Sequence, residues 1–173
     1  LLNALNKSIY EDLSSFYRLK TENLVYFRRI LLYLSSLPPA ELSRFAMAKH
    51  LGIDYKTTDH YLQLLNEIGL IRLVASGKAR AGVLKAKEKV YLENPNLYSS
   101  LTLETGREPN IGTLRKLFFT AMFGNTGLEL EVSQTGDFAS GDNIFEIGGK
   151  DKTSEQLKGM THNAWLVKDD ILY

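Results

Sequence analysis

Cysteine is absent from this 173-residue chain, and proline is scarce, with only four residues. The lack of cysteine excludes a disulfide scaffold, a thiolate zinc finger, an iron–sulfur cluster and a cysteine nucleophile. No apolar run approaches the ~20 residues that a membrane-spanning helix needs, because Arg28 and Arg29 interrupt the most apolar region. These absences predict a soluble, cytoplasmic protein with no membrane partner.

The composition is that of a folded chain, with 44% hydrophobic and 24% charged residues. Charge is unevenly distributed. Residues 1–93 carry 14 basic and 9 acidic side chains, a net +5, whereas residues 94–173 carry 7 and 11, a net −4. The turn-forming cluster Asn94-Pro95-Asn96 lies at the crossover. We therefore predict a helical region over 1–93 and a second region over 94–173.

Helical periodicity dominates the first region. Apolar residues at spacings of three and four predict a helix over Leu24–Leu37. A shorter helix through Leu51 is predicted to begin at a Ser43 cap and to end at Gly52. A further helix is predicted over Lys56–Ile68. Two short helices joined by a turn that contains glycine are typical of a helix-turn-helix.

The residues after these helices favour the winged form of that motif. Leu70–Val74 and Val83–Leu92 read as two strands of a hairpin. Six basic residues and one acidic residue lie between Leu70 and Tyr91, a balance that attracts a phosphate backbone. One alternative is a solvated hairpin edge, where lysines discourage aggregation between strands. The other is a protein-docking module, because Asp59 in the predicted recognition helix would face phosphate or base edges at a cost. The candidate nucleic-acid-binding residues are Lys56, Thr57, Lys78, Arg80, Lys85, Lys87 and Lys89.

The second region reads as mixed α/β, so the fold class of the whole chain is predicted to be α+β. An amphipathic helix over Thr113–Phe123, capped by Asn110 or Thr113, is the clearest element. The other predicted elements are a helical turn at Tyr98–Leu101, a strand over Leu128–Val132, a hairpin around Gly141–Asn143, a helix from Thr153, and a buried strand over Asn163–Val167.

Several segments in the same order resemble one family, the C-terminal region of prokaryotic AAA-type ATPases, which carries a domain of unknown function. The resembling segments are Leu31–Pro38, Ala48–Ile53, Tyr61–Leu65, Asn110–Arg115, Phe145–Thr153, Gln156–Gly159 and Leu166–Ile171. The resemblance implies a winged helix followed by a small α/β domain similar to restriction-endonuclease-like nucleases. It also implies a preceding ATPase domain in the same protein, with ATP and magnesium as that domain's cofactors.

Neither motif that would supply chemistry is complete in this chain. The phosphate-binding pattern GxxxxGK[ST] is absent, so we expect no cofactor in this segment and no ATP hydrolysis by it. A nuclease site of the resembling type needs an Asp, then a Glu-x-Lys on the next strand, so that carboxylates hold a divalent cation. Asp137 and Glu146 match, but Gly148 takes the place of the lysine, and Lys150 is the nearest one. The candidate catalytic set is therefore Asp137, Glu146 and Lys150, as a degenerate site without a metal.

These observations predict a non-catalytic binding or regulatory module that contacts DNA or a partner protein. Two alternatives stay open at this point. One is a metal-dependent DNA nuclease, and the other is a winged-helix DNA-binding regulator. The first residues also lack an initiator Met and a cleavable leader. We therefore expect the sequence to be part of a longer protein, and that protein to be an ATPase.

Overall fold

The structure is a computed structural model that describes residues 1–17, 19–37, 43–75, 88–157, 159 and 163–169. It begins with a helical segment, for which the sequence offers only a weak helical face at Leu13, Phe16 and Tyr17. This segment consists of α1 (Leu2–Lys7), a π-helical stretch (Ser8–Leu13) and α2 (Ser14–Tyr17). Leu5, Ile9 and Leu13 are buried at intervals of four residues, so one face of the segment joins the core.

The strongest sequence prediction, the helix from Leu24, is confirmed as α3 (Thr21–Ser35). Its side chains at positions 24, 27, 30 and 31 are all fully buried. The prolines predicted to stop this helix, at positions 38 and 39, lie outside the described residues. The helix thus supplies a continuous apolar face against which the following elements pack.

The next two helices are α4 (Arg44–Leu51) and α5 (Tyr55–Glu67). Both predicted boundaries of α4 are confirmed, since Ser43 Oγ accepts a hydrogen bond from the Ala46 amide (3.2 Å) and Gly52 has a φ of 70°. Only glycine adopts that left-handed conformation without steric cost. The second helix begins one residue earlier than predicted because Asp54 is its N-cap.

A two-stranded antiparallel hairpin follows, formed by β1 (Ile71–Ala75) and β2 (Glu88–Leu92). Ile71 pairs with Leu92, and Ala75 pairs with Glu88. The structure describes nothing between 76 and 87, so the first part of the predicted second strand lies outside the described residues. The hairpin is confirmed where it is described.

Two helices connect the hairpin to the second sheet, α6 (Pro95–Glu104) and α7 (Ile111–Gly124). The predicted turn at Tyr98–Leu101 was too short. Asn94 caps α6 and Pro95 occupies its first position, where the missing N–H costs nothing. Turn-forming residues therefore begin a helix here. The predicted cap of α7 is confirmed, because Asn110 Oδ1 accepts a hydrogen bond from the Thr113 amide (2.9 Å).

The second sheet has the order β3-β4-β5-β6. Its strands are β3 (Glu131–Val132), β4 (Phe138–Ser140), β5 (Asn143–Gly148) and β6 (Ala164–Lys168). The predicted hairpin is confirmed as β4–β5, whereas β6 pairs with β5 in parallel.

Three other predictions for residues 128–168 were wrong, two in the length of an element and one in its burial. The strand from Leu128 is restricted to β3, and the helix from Thr153 is a single 3₁₀ turn (Ser154–Leu157). The last strand is half-exposed, since its Trp165 keeps 54% of its surface accessible. Sequence patterns locate such short elements but do not fix their length, because tertiary contacts decide where pairing stops.

One hydrophobic cluster extends across both predicted regions. The rings of Tyr91 in β2 and Phe138 in β4 lie 5.4 Å apart, and Phe119 of α7 stacks on Phe138 at the same distance. The described residues thus form a mixed α+β structure with two small sheets, which confirms the predicted class; the division at Asn94–Asn96 stays a prediction. Among the described residues, no helix has the length and apolar character needed to cross a membrane.

Candidate functional site

The first candidate acid, Asp137, lies immediately before β4 and is fully engaged by the chain itself. Its amide donates to the Phe145 carbonyl (2.9 Å), which extends the β4–β5 pairing by one residue. Its carboxylate accepts a hydrogen bond from Lys116 of α7 through Oδ1 and one from the Ile147 amide (3.0 Å) through Oδ2. Asp137 therefore joins α7 to the sheet.

The second candidate acid, Glu146, is in the middle of β5 with only 7% of its side chain exposed. Its partner is Lys152, whose Nζ lies 2.7 Å from Glu146 Oε1. We refer to Lys116, Asp137, Glu146 and Lys152 as the sheet charge cluster. A buried carboxylate requires such a counter-charge, because desolvation of an unpaired charge is costly.

The candidate lysine, Lys150, is not placed as expected. A lysine at this position would share a strand face with Glu146 if β5 continued, but β5 ends at Gly148 and the chain turns there. Lys150 is exposed, and its carbonyl accepts a hydrogen bond from Lys168 Nζ (2.9 Å). The structure brings Lys152 to the buried acid instead of Lys150.

Gly148 explains how Lys152 reaches that position. A Cβ at residue 148 would overlap Cβ and Cγ of Lys152 and would lie 3.0 Å from its Cδ. The lysine stem therefore occupies the space that a side chain at 148 would fill. The sequence did contain a signal for this arrangement, because a glycine stands where the nuclease pattern requires a lysine. Only the turn after β5 shows that Lys152 is the lysine that packs over Gly148 and reaches Glu146.

The cluster as placed does not fit a divalent cation. Each of its two carboxylates contacts a lysine, and the third nearby acid, Asp169, pairs with Arg115 of α7 (2.5 Å). Within the described ranges, no group of three or more histidine, aspartate or glutamate residues could hold a metal ion. The chemistry that this arrangement supports directly is charge neutralisation inside the fold.

The candidate DNA-contacting residues of α5 have different environments. Lys56 is exposed in the first turn. The Thr57 hydroxyl, by contrast, donates to the Asp54 carboxylate (2.5 Å), and the Thr57 amide donates to it as well (2.9 Å). The hydrogen bond from the Thr57 hydroxyl, followed by the one from the Thr57 amide, lowers the pKa of Asp54. Thr57 is thus committed to the helix cap, whereas Lys56 is accessible.

Sequence reasoning missed Arg44, the residue that ties this surface together. Its Nε contacts Asp59 of α5 and its Nη2 contacts Glu88 of β2, both at 2.5 Å. Burial opposes its charge, but hydrogen bonds to Glu88 and Asp59 prevail and raise the pKa of Arg44. Asp59, predicted to face phosphate at a cost, therefore has a positive partner, although it shares that partner with Glu88. No local pattern links these three positions, since they are distant in sequence.

The basic residues of the hairpin are only partly described. Lys78, Arg80, Lys85 and Lys87 lie outside the described residues. Lys89 is half-buried in β2, opposite Val74.

The remaining basic residue of the hairpin, Arg72, has a partner of its own. It binds Glu93, with Nε 2.8 Å from Oε2. Arg72 is therefore held within the fold by an ion pair.

Aromatic side chains are exposed at the beginning of both short helices. Phe45 in the first turn of α4 has 73% of its surface accessible, and Tyr55 in the first turn of α5 has 51%. Together with Lys56, Tyr55 gives the exposed end of α5 both a cation and an aromatic ring. Such a combination is typical of a contact surface.

Comparisons with known proteins provide one match. No curated protein and no solved structure is detectably similar to the chain. One family matches residues 1–134, which include both short helices and the hairpin but end before Asp137. Nothing in this match connects the chain to AAA-type ATPases. The chain belongs to the family described as Domain of unknown function (DUF8612).

Proposed function

We propose that this chain is a non-catalytic binding module that contacts duplex DNA through the exposed end of α5 and the β1–β2 hairpin. The observation that carries the proposal is the Arg44 bridge, which pairs with both Asp59 and Glu88 and lowers the net charge of these two acids on this surface from −2 to −1. With these acids paired, Lys56 is the exposed cation described at this end of α5, and the lysine-rich sequence of the hairpin supports the same electrostatic attraction to a phosphate backbone. The order of helices and strands supports the interpretation of 1–93 as a winged helix.

The sheet charge cluster supports the absence of catalysis. Lys116 and Lys152 occupy the positions next to Asp137 and Glu146 where a cation would have to bind. Releasing either acid would leave a lysine without its partner in a mostly buried setting. We infer that the second region is a nuclease-like domain that serves binding or support. By its resemblance to the C-terminal region of AAA-type ATPases, the module would act beside an ATPase domain of the same protein.

Fluorescence anisotropy with a labelled DNA duplex, measured over a salt series, tests the proposal. The test variant is Lys56→Gln/Lys89→Gln, and the control is Lys7→Gln/Lys20→Gln, which removes the same charge from the N-terminal segment. Each lost phosphate contact lowers the slope of log affinity against log salt by about 0.9. We expect a slope reduced by up to about 2 in the test variant and an unchanged slope in the control.

Two results would reject this interface. One is no binding at low salt, which would leave protein docking through Phe45 and Tyr55 as the better account. The other is an equal loss in both double variants, since that would reflect net charge alone.

A metal-dependent nuclease is the second candidate, and one contact favours it. Lys152 approaches Glu146 as a catalytic lysine would, although four residues later than expected. Incubation of labelled duplex with Mg²⁺ or Mn²⁺ decides between the two functions. We expect intact DNA; cleavage that Asp137→Asn abolishes would establish the nuclease and overturn the non-catalytic proposal.

A further inference from the structure

A solvent-open cavity of about 450 Å³ lies between α3, the end of α4 and the chain after α6. It is separate from the α5 surface and from the sheet charge cluster. We call it the arginine cavity. Its polar and aromatic lining consists of Arg29, Tyr33, Ser36, His50, Thr105 and Arg107.

The two arginines of this cavity differ from the other arginines of the structure. Arg28, Arg44, Arg72 and Arg115 each pair with a carboxylate. Arg29 and Arg107 have no such pair among the described residues, and no acidic side chain is among the described residues that line the cavity. Both of these arginines line the same cavity.

Most hydrogen-bond donors of these two groups remain available. Arg107 donates to Thr105 Oγ1 (3.2 Å) and to the Ser36 carbonyl (3.4 Å), which uses two of its five N–H groups. Arg29 lies over the ring of Tyr26, with Cζ 5.6 Å from the centroid. Within the described part of the chain, these contacts leave up to eight N–H donors without a hydrogen-bond acceptor.

Helix ends oppose an anion here, but the side-chain charge exceeds them. The carboxyl ends of α3, α4 and α6 border the cavity, and each carries about half a negative charge. Arg107 satisfies one carbonyl at the end of α3 directly. The two guanidinium groups carry a total charge of +2, which exceeds the total of about −1.5 at the three helix ends, and His50 in the last turn of α4 is a further basic group.

The aromatic lining provides a place for an organic body. The rings of Tyr33 and His50 are 4.8 Å apart, and Leu32 and Leu51 also line the cavity. The adjoining cavity shares Arg107 but is lined by Glu108, so it disfavours an anion. Of these two cavities, the one on the Tyr33 side of Arg107 combines both arginines with an apolar surface.

We propose that the arginine cavity binds a small phosphate-bearing ligand, with Arg29 and Arg107 donating to the phosphate oxygens. Planar guanidinium groups match phosphate geometry, and two of them supply more donors than a single carboxylate can accept. The phosphate comes either from free inorganic phosphate or from an ester whose body lies against Tyr33 and His50. This site is independent of the proposed DNA contact, because it shares no residue with it.

Isothermal titration with inorganic phosphate and with phenyl phosphate tests the site. We expect the wild-type chain to bind at least one of them. Arg29→Gln and Arg107→Gln should each weaken that binding by about tenfold or more, because each removes a charged hydrogen-bond partner. Arg107→Lys should restore only part of the affinity, since lysine keeps the charge but lacks the planar fork. Lys20→Gln, which removes one exposed charge at the start of α3, is the matched control and should bind as the wild type does.

The two probes separate the sources of the phosphate. Tighter binding of phenyl phosphate would assign the cavity to a phosphate ester, and equal binding would assign it to the phosphate group alone. Far-UV circular dichroism confirms that each variant is folded. The proposal is overturned if neither probe binds, or if folded Arg29→Gln and Arg107→Gln variants bind as tightly as Lys20→Gln.

Discussion

Removal of the Lys152 ammonium should destabilise the protein because Glu146 would then be buried without a counter-charge. Lys152→Met keeps the apolar stem that passes over Gly148 and removes only the charge. Exposed ion pairs contribute less than about 1 kcal/mol, whereas breaking a buried pair costs about 3–5 kcal/mol. The Glu146 side chain is 7% exposed and that of Lys152 is 31% exposed. We therefore expect an intermediate loss of about 2 kcal/mol in the free energy of unfolding.

Urea unfolding followed by circular dichroism measures this loss, and Lys150→Met is its matched control. Lys150 is exposed and two residues away, so the same substitution there should change stability by less than about 0.5 kcal/mol. Glu146→Gln added to Lys152→Met should recover part of the loss, because it removes the unpaired charge. Equal effects of Lys152→Met and Lys150→Met would refute the assigned pairing.

Three further predictions concern the core, a helix cap and a buried phenol. Leu101→Ala should lower the free energy of unfolding by about 2–5 kcal/mol in urea titrations, whereas Leu103→Ala on the exposed side of α6 should change it little. The Thr57 hydroxyl holds the pKa of Asp54 below its unfolded value. The stabilisation is therefore present above about pH 4 and is lost as pH falls further, so urea midpoints at pH 7 and pH 3 should differ less in Asp54→Asn than in the wild type. Burial, followed by the nearby Asp137 charge, raises the pKa of Tyr91. Alkaline absorbance titration should show one phenol that ionises only on unfolding, and stability should fall as pH rises above about 10.

The helix boundaries illustrate what a single sequence predicts well. Ser43, Gly52 and Asn110 act on neighbouring backbone groups, so their roles could be inferred from a few adjacent residues. The same reasoning was misled at Asn94-Pro95, where residues common in turns begin α6 instead. A cap and a turn use the same residue types, and the surrounding packing decides between them.

The candidate sites were less predictable because their contacts join distant parts of the chain. The sequence pointed to Asp137 and Glu146 as candidate acids, and the structure places Asp137 immediately before β4 and Glu146 within β5, but their lysine partners were not predicted. Arg44 gave no local signal, although it links α4, α5 and β2.

Periodicity and capping, which act over one or two turns, determined helices α3, α4, α5 and α7, the hairpins and the α+β class from the sequence alone. The tertiary structure decided which charges meet, because ion pairs depend on the relative placement of elements that are far apart in the chain. It replaced Lys150 with Lys152 beside Glu146, and it brought Arg29 and Arg107 to one cavity. Local residue patterns carry no information about such placements, so no reading of the sequence alone could have assigned those pairs.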